Sequence, residues 1–365
     1  MRIGILGATG QAGREISGAL LKAGFADVVL IGRDATKLGR LQSQLAEPAS
    51  QAPEIAIADA GDRQALIAAF GNLDMVVIAV GSADHLPSII DAALDSRTDC
   101  LDILLCSAEK RRLLEACRGR IEALGLIYIT DGGYHPGVPA ALVRYAEMRC
   151  PGLHTAEVYG AFGVNWRERI MSLEASCDFV RELGVMDMGR LQGGNWVSDW
   201  RGMRSFDFGD GRGARACVPM GMDEMRELPY IVPTLRNAGF FIAGFGRVMD
   251  WIVMPVSLLM LKLFPRAITR VARFFVWGVR TFGGRQDWAC LQLARHSQHE
   301  GIRIRLTCPS AYELTAFPVI ACLRQYVEQP RKPGLHRQAL FVAPGRFMAD
   351  LKQAGVHLAE VKTGP

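Results

Sequence analysis

The stretch RIGILGATGQAGREI, residues 2–16, constrains the fold of this chain more than any other. Four apolar residues of strand character run into glycines at positions 7, 10 and 13, and a helical pattern follows at once. In such a strand–turn–helix unit Gly7 lets the backbone turn tightly, and Gly10 removes the Cβ that would block a pyrophosphate. Gly13 lets helix and strand pack closely. A diphosphate would then sit on the first N–H groups of the helix, at the positive end of its dipole. Gly7, Ala8, Thr9, Gly10, Gln11, Ala12 and Gly13 are therefore the expected cofactor-binding loop. Three glycines at this spacing carry little weight alone; the preceding strand and following helix supply the context that does.

Six short apolar runs alternate with helical patterns up to Thr130: IGIL, VVLIG, IAIA, MVVIAV, CLDILL and LIYIT. That alternation predicts a doubly wound parallel sheet, the Rossmann arrangement, in an α/β fold. At 365 residues the chain is long enough for a second domain, expected to be of α+β type. In it LHTAEVYGAFG (153–163) reads as a strand and IMSLEASCDFVREL (170–183) as a helix. ACLQLARHSQHEGIRIRLTC reads as a hairpin turning around His299 to Gly301.

The end of the second strand decides which nicotinamide fits. An NAD site places an acid there for the ribose 2′-hydroxyl, whereas this chain reads LIGRDATKL. Arg33 follows the strand directly and Lys37 lies one helical turn later, so two cations can face a 2′-phosphate, which favours NADP(H). The other reading makes Arg33 a solvated loop residue, and Asp34 caps the helix under either. Two further strand ends extend the site. Asp59 and Ala60 are placed near the adenine, Asp59 serving equally well as a helix cap. Ala79, Val80 and Gly81 are placed along the diphosphate and nicotinamide ribose.

After the sixth strand comes DGGYHPGVPAALVRYA, and near the end SAYELTAFPVIACLRQYVEQPRKPGLHRQALFVAPGRFMADLKQAGV. The glycine-rich Pro-Gly loop leading into a helix resembles the saccharopine dehydrogenase-like (saccharopine reductase-like) family. So does the Tyr-Glu-x-Thr-Ala helix followed by a Pro-Gly-Leu turn and a Pro-led final helix. The resemblance spans nearly the whole chain except about 185–300. It implies a Rossmann domain over 1–145, an α+β substrate or dimerisation domain over 146–310, and a C-terminal segment, 311–365, returning to the first domain. A homodimer through the second domain is also implied. The family includes amino-acid-forming reductases, trans-acting enoyl reductases of lipid and polyketide pathways, and membrane- or lipid-associated proteins. This chain departs from the family pattern in carrying His135 where the family commonly has Asp before Pro-Gly.

Tyr134 and His135, on a loop at the carboxyl edge of the sheet, are the candidate catalytic proton donors; the alternative is a pair of turn residues flanking Pro-Gly. Trp166, Arg167 and Arg169 in NWRERI are candidate substrate residues, an arginine there being suited to a carboxylate or phosphate; a solvated helix start is the plain alternative.

Residues 251–264, WIVMPVSLLMLKLF, pose a separate question. A membrane span needs roughly 20 apolar residues. This run is bounded by Asp250 and Lys262 and contains Pro255, which argues against spanning. In the RAITRVARFFVWGVR that follows, Arg266, Arg270, Arg273 and Arg280 fall within an arc of about 80° at helical spacing, with Ile268, Val271, Ala272, Phe275 and Val279 opposite. That pattern fits a helix lying at a membrane surface through 251–282, or a core-facing helix with a basic outer face. The segment 240–282 is thus expected to shape access of a small hydrophobic substrate.

The remaining features exclude more than they assert. A net charge of +5 without a Lys/Arg block argues against nucleic acid. Nine cysteines with no CxxC pair fit a reducing compartment and no metal site. The opening RIGIL lacks the features of a signal peptide, so a cytoplasmic location is expected, with peripheral contact at the inner face of a membrane as the variant suggested by 251–282. Taken together the residues favour an NADPH-dependent oxidoreductase reducing a hydrophobic C=C or C=O substrate of lipid or isoprenoid kind. The alternatives are a soluble saccharopine or opine-type imine reductase, and a non-enzymatic NADP-binding membrane protein.

Overall fold

β1 (Ile3–Leu6) is the hub of the first sheet: it pairs in parallel with β2 (Val28–Gly32) on one side and β4 (Met75–Ile78) on the other, Ile3 facing both Val28 and Met75. The computed structural model describes residues 1–46, 52–81, 83–169, 173–209, 211–295 and 301–363. β3 (Glu54–Ile57) forms one edge beside β2; β5 (Asp99–Asp102) and β6 (Ile127–Thr130) continue beyond β4. Strands with both faces covered need no alternation, which is why IGIL and MVVI are apolar throughout and fully buried. The strand order reverses between β1 and β4, which opens a crevice at their carboxyl ends.

A seventh parallel strand, Gly334–Arg337, completes the sheet beside β6, pairing Gly334 with Ile127 and Arg337 with Thr130. The sequence shows only a Pro-Gly-Leu turn here. Asp99, at the amino end of β5, helps hold this return. Its carboxylate accepts two hydrogen bonds from Arg331, at 2.7 and 2.8 Å, one from the Ile127 amide at 2.9 Å, and one from Tyr326. The unit so formed comprises Met1–Val138 and Tyr312–Phe347.

The second unit, Pro139–Ala311 with Met348–Pro365, is built on a mixed nine-stranded sheet. Its central strand, Thr155–Gly163, pairs in parallel with Asn237–Ala243 and antiparallel with Trp288–Arg295. The hairpin of Trp288–Arg295 with Gly301–Cys308 is present, while its turn at 296–300 lies outside the described residues. The helix expected over 170–183 is found at Leu173–Val185, its first three expected residues again lying outside them.

The C-terminal segment divides where a return of all of 311–365 to the first domain was expected. His357–Thr363 pairs antiparallel with Gly301–Cys308, placing Leu358 opposite Leu306, and so belongs to the second sheet. Two bonds from a helix of the same unit fix this strand: the Tyr145 hydroxyl donates to Glu360 at 2.6 Å, and Arg149 pairs with Glu360 at 3.2 Å.

Within this unit the helix Ile268–Phe282 buries Val271, Ala272, Phe275 and Val279. Phe275 joins Phe179 and Phe245, with ring centroids 5.4 and 5.9 Å away. The apolar face that the helical spacing offered to a membrane is therefore core. Among the described residues no helix is long and apolar enough to cross a membrane, and no disulfide joins the nine cysteines.

Candidate cofactor site

The turn after β1 is held by the protein's own contacts at two glycines. Gly7 has φ 87°, and a Cβ there would meet the Ala79 carbonyl oxygen at 2.5 Å. A Cβ on Gly13 would lie 2.3 Å from the Gly7 carbonyl oxygen. Gly10 differs: a Cβ would meet only the Gly7 oxygen, at 3.2 Å, so the surface above it is open. It is the one glycine of the three whose missing side chain is explained better by a close ligand than by packing. The helix that follows, Gln11–Lys22, has no side-chain cap and no acid in its first turn, which suits an anion.

Around this turn the structure gathers most of the expected cofactor residues at the carboxyl edge of the sheet. Thr9, Gly10, Gln11, Arg33, Asp59 and Gly81 are at least partly exposed there, and Ala79 and Val80 lie half-buried beside Gly7. Ala8 is wholly buried, its amide donating to the Ile31 carbonyl at 3.2 Å, so it shapes the turn rather than facing a ligand. Asp34 caps the helix Ala35–Leu45, accepting from the Lys37 amide at 3.0 Å, and its carboxylate holds the Lys37 ammonium at 3.5 Å. The Lys37 amide bond, and then the Lys37 charge, pull the Asp34 pKa below its ordinary value. Lys37 is thus partly neutralised, and Arg33 follows β2 directly with its side chain exposed. Asp59 does not cap the next helix; Asp62 does, accepting from Gln64 and Ala65. Asp59 instead closes the turn before it through the Gly61 amide, at 2.8 Å.

Sequence reasoning missed a buried charge cluster at the carboxyl ends of β5, β6 and the seventh strand. The Lys110 ammonium, from the helix Ala108–Ala123, donates to Asp102 at 2.7 Å, to the Leu104 carbonyl at 2.8 Å and to Asp131 at 3.1 Å. Arg337 donates to the other Asp131 oxygen at 2.5 Å. Lys110, Asp102 and Asp131 are each no more than 3% exposed. Burial alone would lower the Lys110 pKa, but Asp102 and Asp131 outweigh it and raise the pKa. Burial would raise that of Asp131, but Lys110 and Arg337 hold it below the usual aspartate value. The only sequence signal was an acid closing two strands that otherwise read as fully buried.

This cluster fixes the start of the loop that carries Tyr134 and His135. Gln338 supports the loop further, accepting from the Gly133 amide at 3.3 Å. Tyr134 is buried, and its ring lies 4.3 Å from that of His135. The His135 ring keeps some surface, yet protein surrounds it closely enough that desolvation draws its pKa from 6.5 to about 4. A ring that is neutral at pH 7 holds no ready proton, so the expected donor role does not suit His135 in this state. An NMR titration of the His135 imidazole is expected to give a midpoint near 4. A midpoint at or above 6.5 would mean that the ring is solvated.

The three expected substrate residues are not gathered into a clamp. Trp166 is buried with its ring 6.1 Å from Phe245, Arg169 is paired with Asp287 at 2.8 Å, and Arg167 is exposed. The tract's helical reading also gives way to a turn fixed by Asp287, which accepts from the Asn165 amide at 2.7 Å; Ile170 lies outside the described residues.

The sequence profile of an NAD(P)H-binding family matches residues 7–118. Among solved structures, the apo saccharopine dehydrogenase (L-Glu forming) of Saccharomyces cerevisiae is similar over 100% of both chains, at 13% identity and a TM-score of 0.70. A six-substitution mutant of the meso-dapdh of Clostridium tetani E88, solved with DAP, covers 95% of each chain at 13% identity and a TM-score of 0.49. Comparison with curated proteins gives no match. The chain carries an NAD(P)H-binding domain and has a saccharopine dehydrogenase-like fold.

Proposed function

We propose that this protein is an NADPH-dependent oxidoreductase that reduces a C=C or C=O bond in a small hydrophobic substrate. The observation that carries the reading is the Gly7–Gly13 turn, open above Gly10, with Arg33 at the end of the neighbouring strand. The backbone from Gly7 to Gly13 would hold the diphosphate and Arg33, aided by Lys37, the 2′-phosphate; Asp59 and Ala60 would border the adenine. Ala79, Val80 and Gly81 would border the nicotinamide ribose. When bound, NADPH supplies the hydride, and the protein's part is to bind and orient it. The support for an apolar substrate is the apolar segment 251–264, together with the engagement of Arg169 by Asp287, which weakens the case for a carboxylate clamp.

A second reading, an imine reductase of saccharopine or opine type, is favoured by the fold likeness to saccharopine dehydrogenase. Loss of NADPH absorbance, followed with apolar enones and ketones and with amino acid and 2-oxo acid pairs, separates the two. The first reading expects turnover of at least one apolar acceptor, about tenfold or more above any amino acid pair. Faster turnover of an amino acid pair would replace it with the second.

A further inference from the structure

The helix Met254–Leu263 is built inside out for a water-soluble unit. Its fully buried side chain is Ser257, whose hydroxyl donates to the Val253 carbonyl at 2.7 Å. Ile252, Leu259 and Leu263 are between 56% and 61% exposed, and Val256 is exposed between them. Positions 256, 259 and 263 follow the i, i+3, i+7 spacing, so these side chains form one stripe along the helix, and Ile252 precedes it in the π-helical turn Met249–Val253. Trp251 and Phe264, each 63% exposed, flank the stripe at its two ends. Contiguous apolar surface of this kind on a soluble protein marks a contact surface.

The neighbouring charges state what kind of contact. No Asp or Glu occurs from 251 to 286, a stretch that contains Lys262, Arg266, Arg270, Arg273, Arg280 and Arg285. Arg270, Arg273 and Arg280 are exposed on the face of Ile268–Phe282 opposite its buried side, and Arg266 is exposed in the turn Pro265–Ala267 before it. Trp277, about half exposed, projects among them and stacks on Phe274 at 5.6 Å. Where the two helices join lies a shallow groove of about 720 Å³, lined by Leu263, Phe264 and Pro265 together with Arg266, Arg270 and Arg273. Apolar side chains beside exposed arginines and a tryptophan match the boundary between acyl chains and anionic headgroups.

We propose that residues 251–282 dock this protein on the surface of an anionic phospholipid bilayer. The stripe Val256, Leu259 and Leu263, with Ile252 and Phe264, enters the acyl boundary. Arg266, Arg270 and Arg273 meet the lipid phosphates, without the chain crossing the bilayer. The inference does not depend on cofactor binding, because it uses no residue of the cofactor site; it shares segment 251–264 with the argument for an apolar substrate.

Flotation of the full chain with vesicles of phosphatidylglycerol and phosphatidylcholine, against phosphatidylcholine alone, tests it. Binding is expected to the anionic vesicles and to weaken as salt rises. Arg266→Gln/Arg270→Gln/Arg273→Gln should lower affinity about 100-fold, at roughly 1 kcal/mol for each arginine near an anionic surface. Leu259→Ser/Leu263→Ser/Phe264→Ser should lower it at least about tenfold through lost apolar burial. Both variants change exposed side chains, and retained NADPH binding and circular dichroism would show that they fold. Failure of the wild type to float with anionic vesicles would overturn the proposal, as would equal flotation of wild type and both variants. So would light scattering that shows the stripe covered by a second copy, in a dimer which the triple serine variant dissociates.

Discussion

Lys110→Met should destabilise the protein by about 3–5 kcal/mol, the usual loss when one member of a buried ion pair is removed and its partner stays charged. The value is large because two carboxylates depend on this ammonium. Among the described residues Asp102, wholly buried, has no other ion pair, whereas Asp131 keeps Arg337. Against a typical total stability of about 5–15 kcal/mol, urea unfolding would register the loss as a clear fall in midpoint. Adding Asp102→Asn should restore part of it: the amide oxygen can still accept from the Leu104 amide, a bond now 3.1 Å long, and no unpaired charge remains at that position.

The same cluster sets a pH window. The depressed Asp131 pKa stabilises the fold above the ordinary aspartate value of 3.8, and that contribution is lost as pH falls through the lower folded value. The raised Lys110 pKa stabilises it below the ordinary lysine value of 10.5, and this is lost as pH rises through the higher folded value. The difference between wild type and Lys110→Met is therefore greatest between these limits and shrinks outside them. A difference that stayed constant from acid to alkali would argue that Lys110 acts by packing alone.

Much of the first unit is legible in the sequence because parallel strands covered on both faces are unbroken apolar runs, and β1, β2 and β4 are three of them. The seventh strand, Gly334–Arg337, is four residues with one aliphatic side chain, so it leaves no periodic trace. The closing strand, His357–Thr363, depends on a partner about fifty residues earlier in the chain, which local pattern does not specify. Lys110 sits in SAEKRR, a composition that reads as solvated, and only the fold turns its ammonium toward Asp102 and Asp131.

Helical spacing separated the two faces of Ile268–Phe282 correctly but did not say which solvent each would meet. Its apolar face packs on Phe179 and Phe245, and the exposed apolar stripe belongs to the helix before it. At the cofactor turn the residue types were informative because the reasons lie largely within the turn: Gly7 has φ 87°, and a Cβ on Gly13 would lie 2.3 Å from the Gly7 carbonyl oxygen. At NWRERI they were not, because Asp287, the residue that fixes Arg169, lies 118 positions away.

The central claim is that the open turn at Gly10 and the cation after β2 form an NADPH site. Arg33 is exposed, so the effect of Arg33→Asp is read on the ligand, with the urea unfolding midpoint of the variant as the check on its folding. Replacing the guanidinium removes a charge-assisted bond of about 1.5–3 kcal/mol and adds repulsion between the new carboxylate and the 2′-phosphate. With each 1.4 kcal/mol equal to a tenfold change, the expected loss is about 100-fold. NADH, with a 2′-hydroxyl in place of the phosphate, escapes both effects. The direct measurement is titration of wild type and Arg33→Asp with NADPH and with NADH, followed by the fluorescence of the reduced nicotinamide. The account predicts tighter NADPH binding by the wild type, lost about 100-fold in the variant while NADH changes less than about threefold. Equal loss for the two nucleotides, or a wild type that prefers NADH, would contradict it.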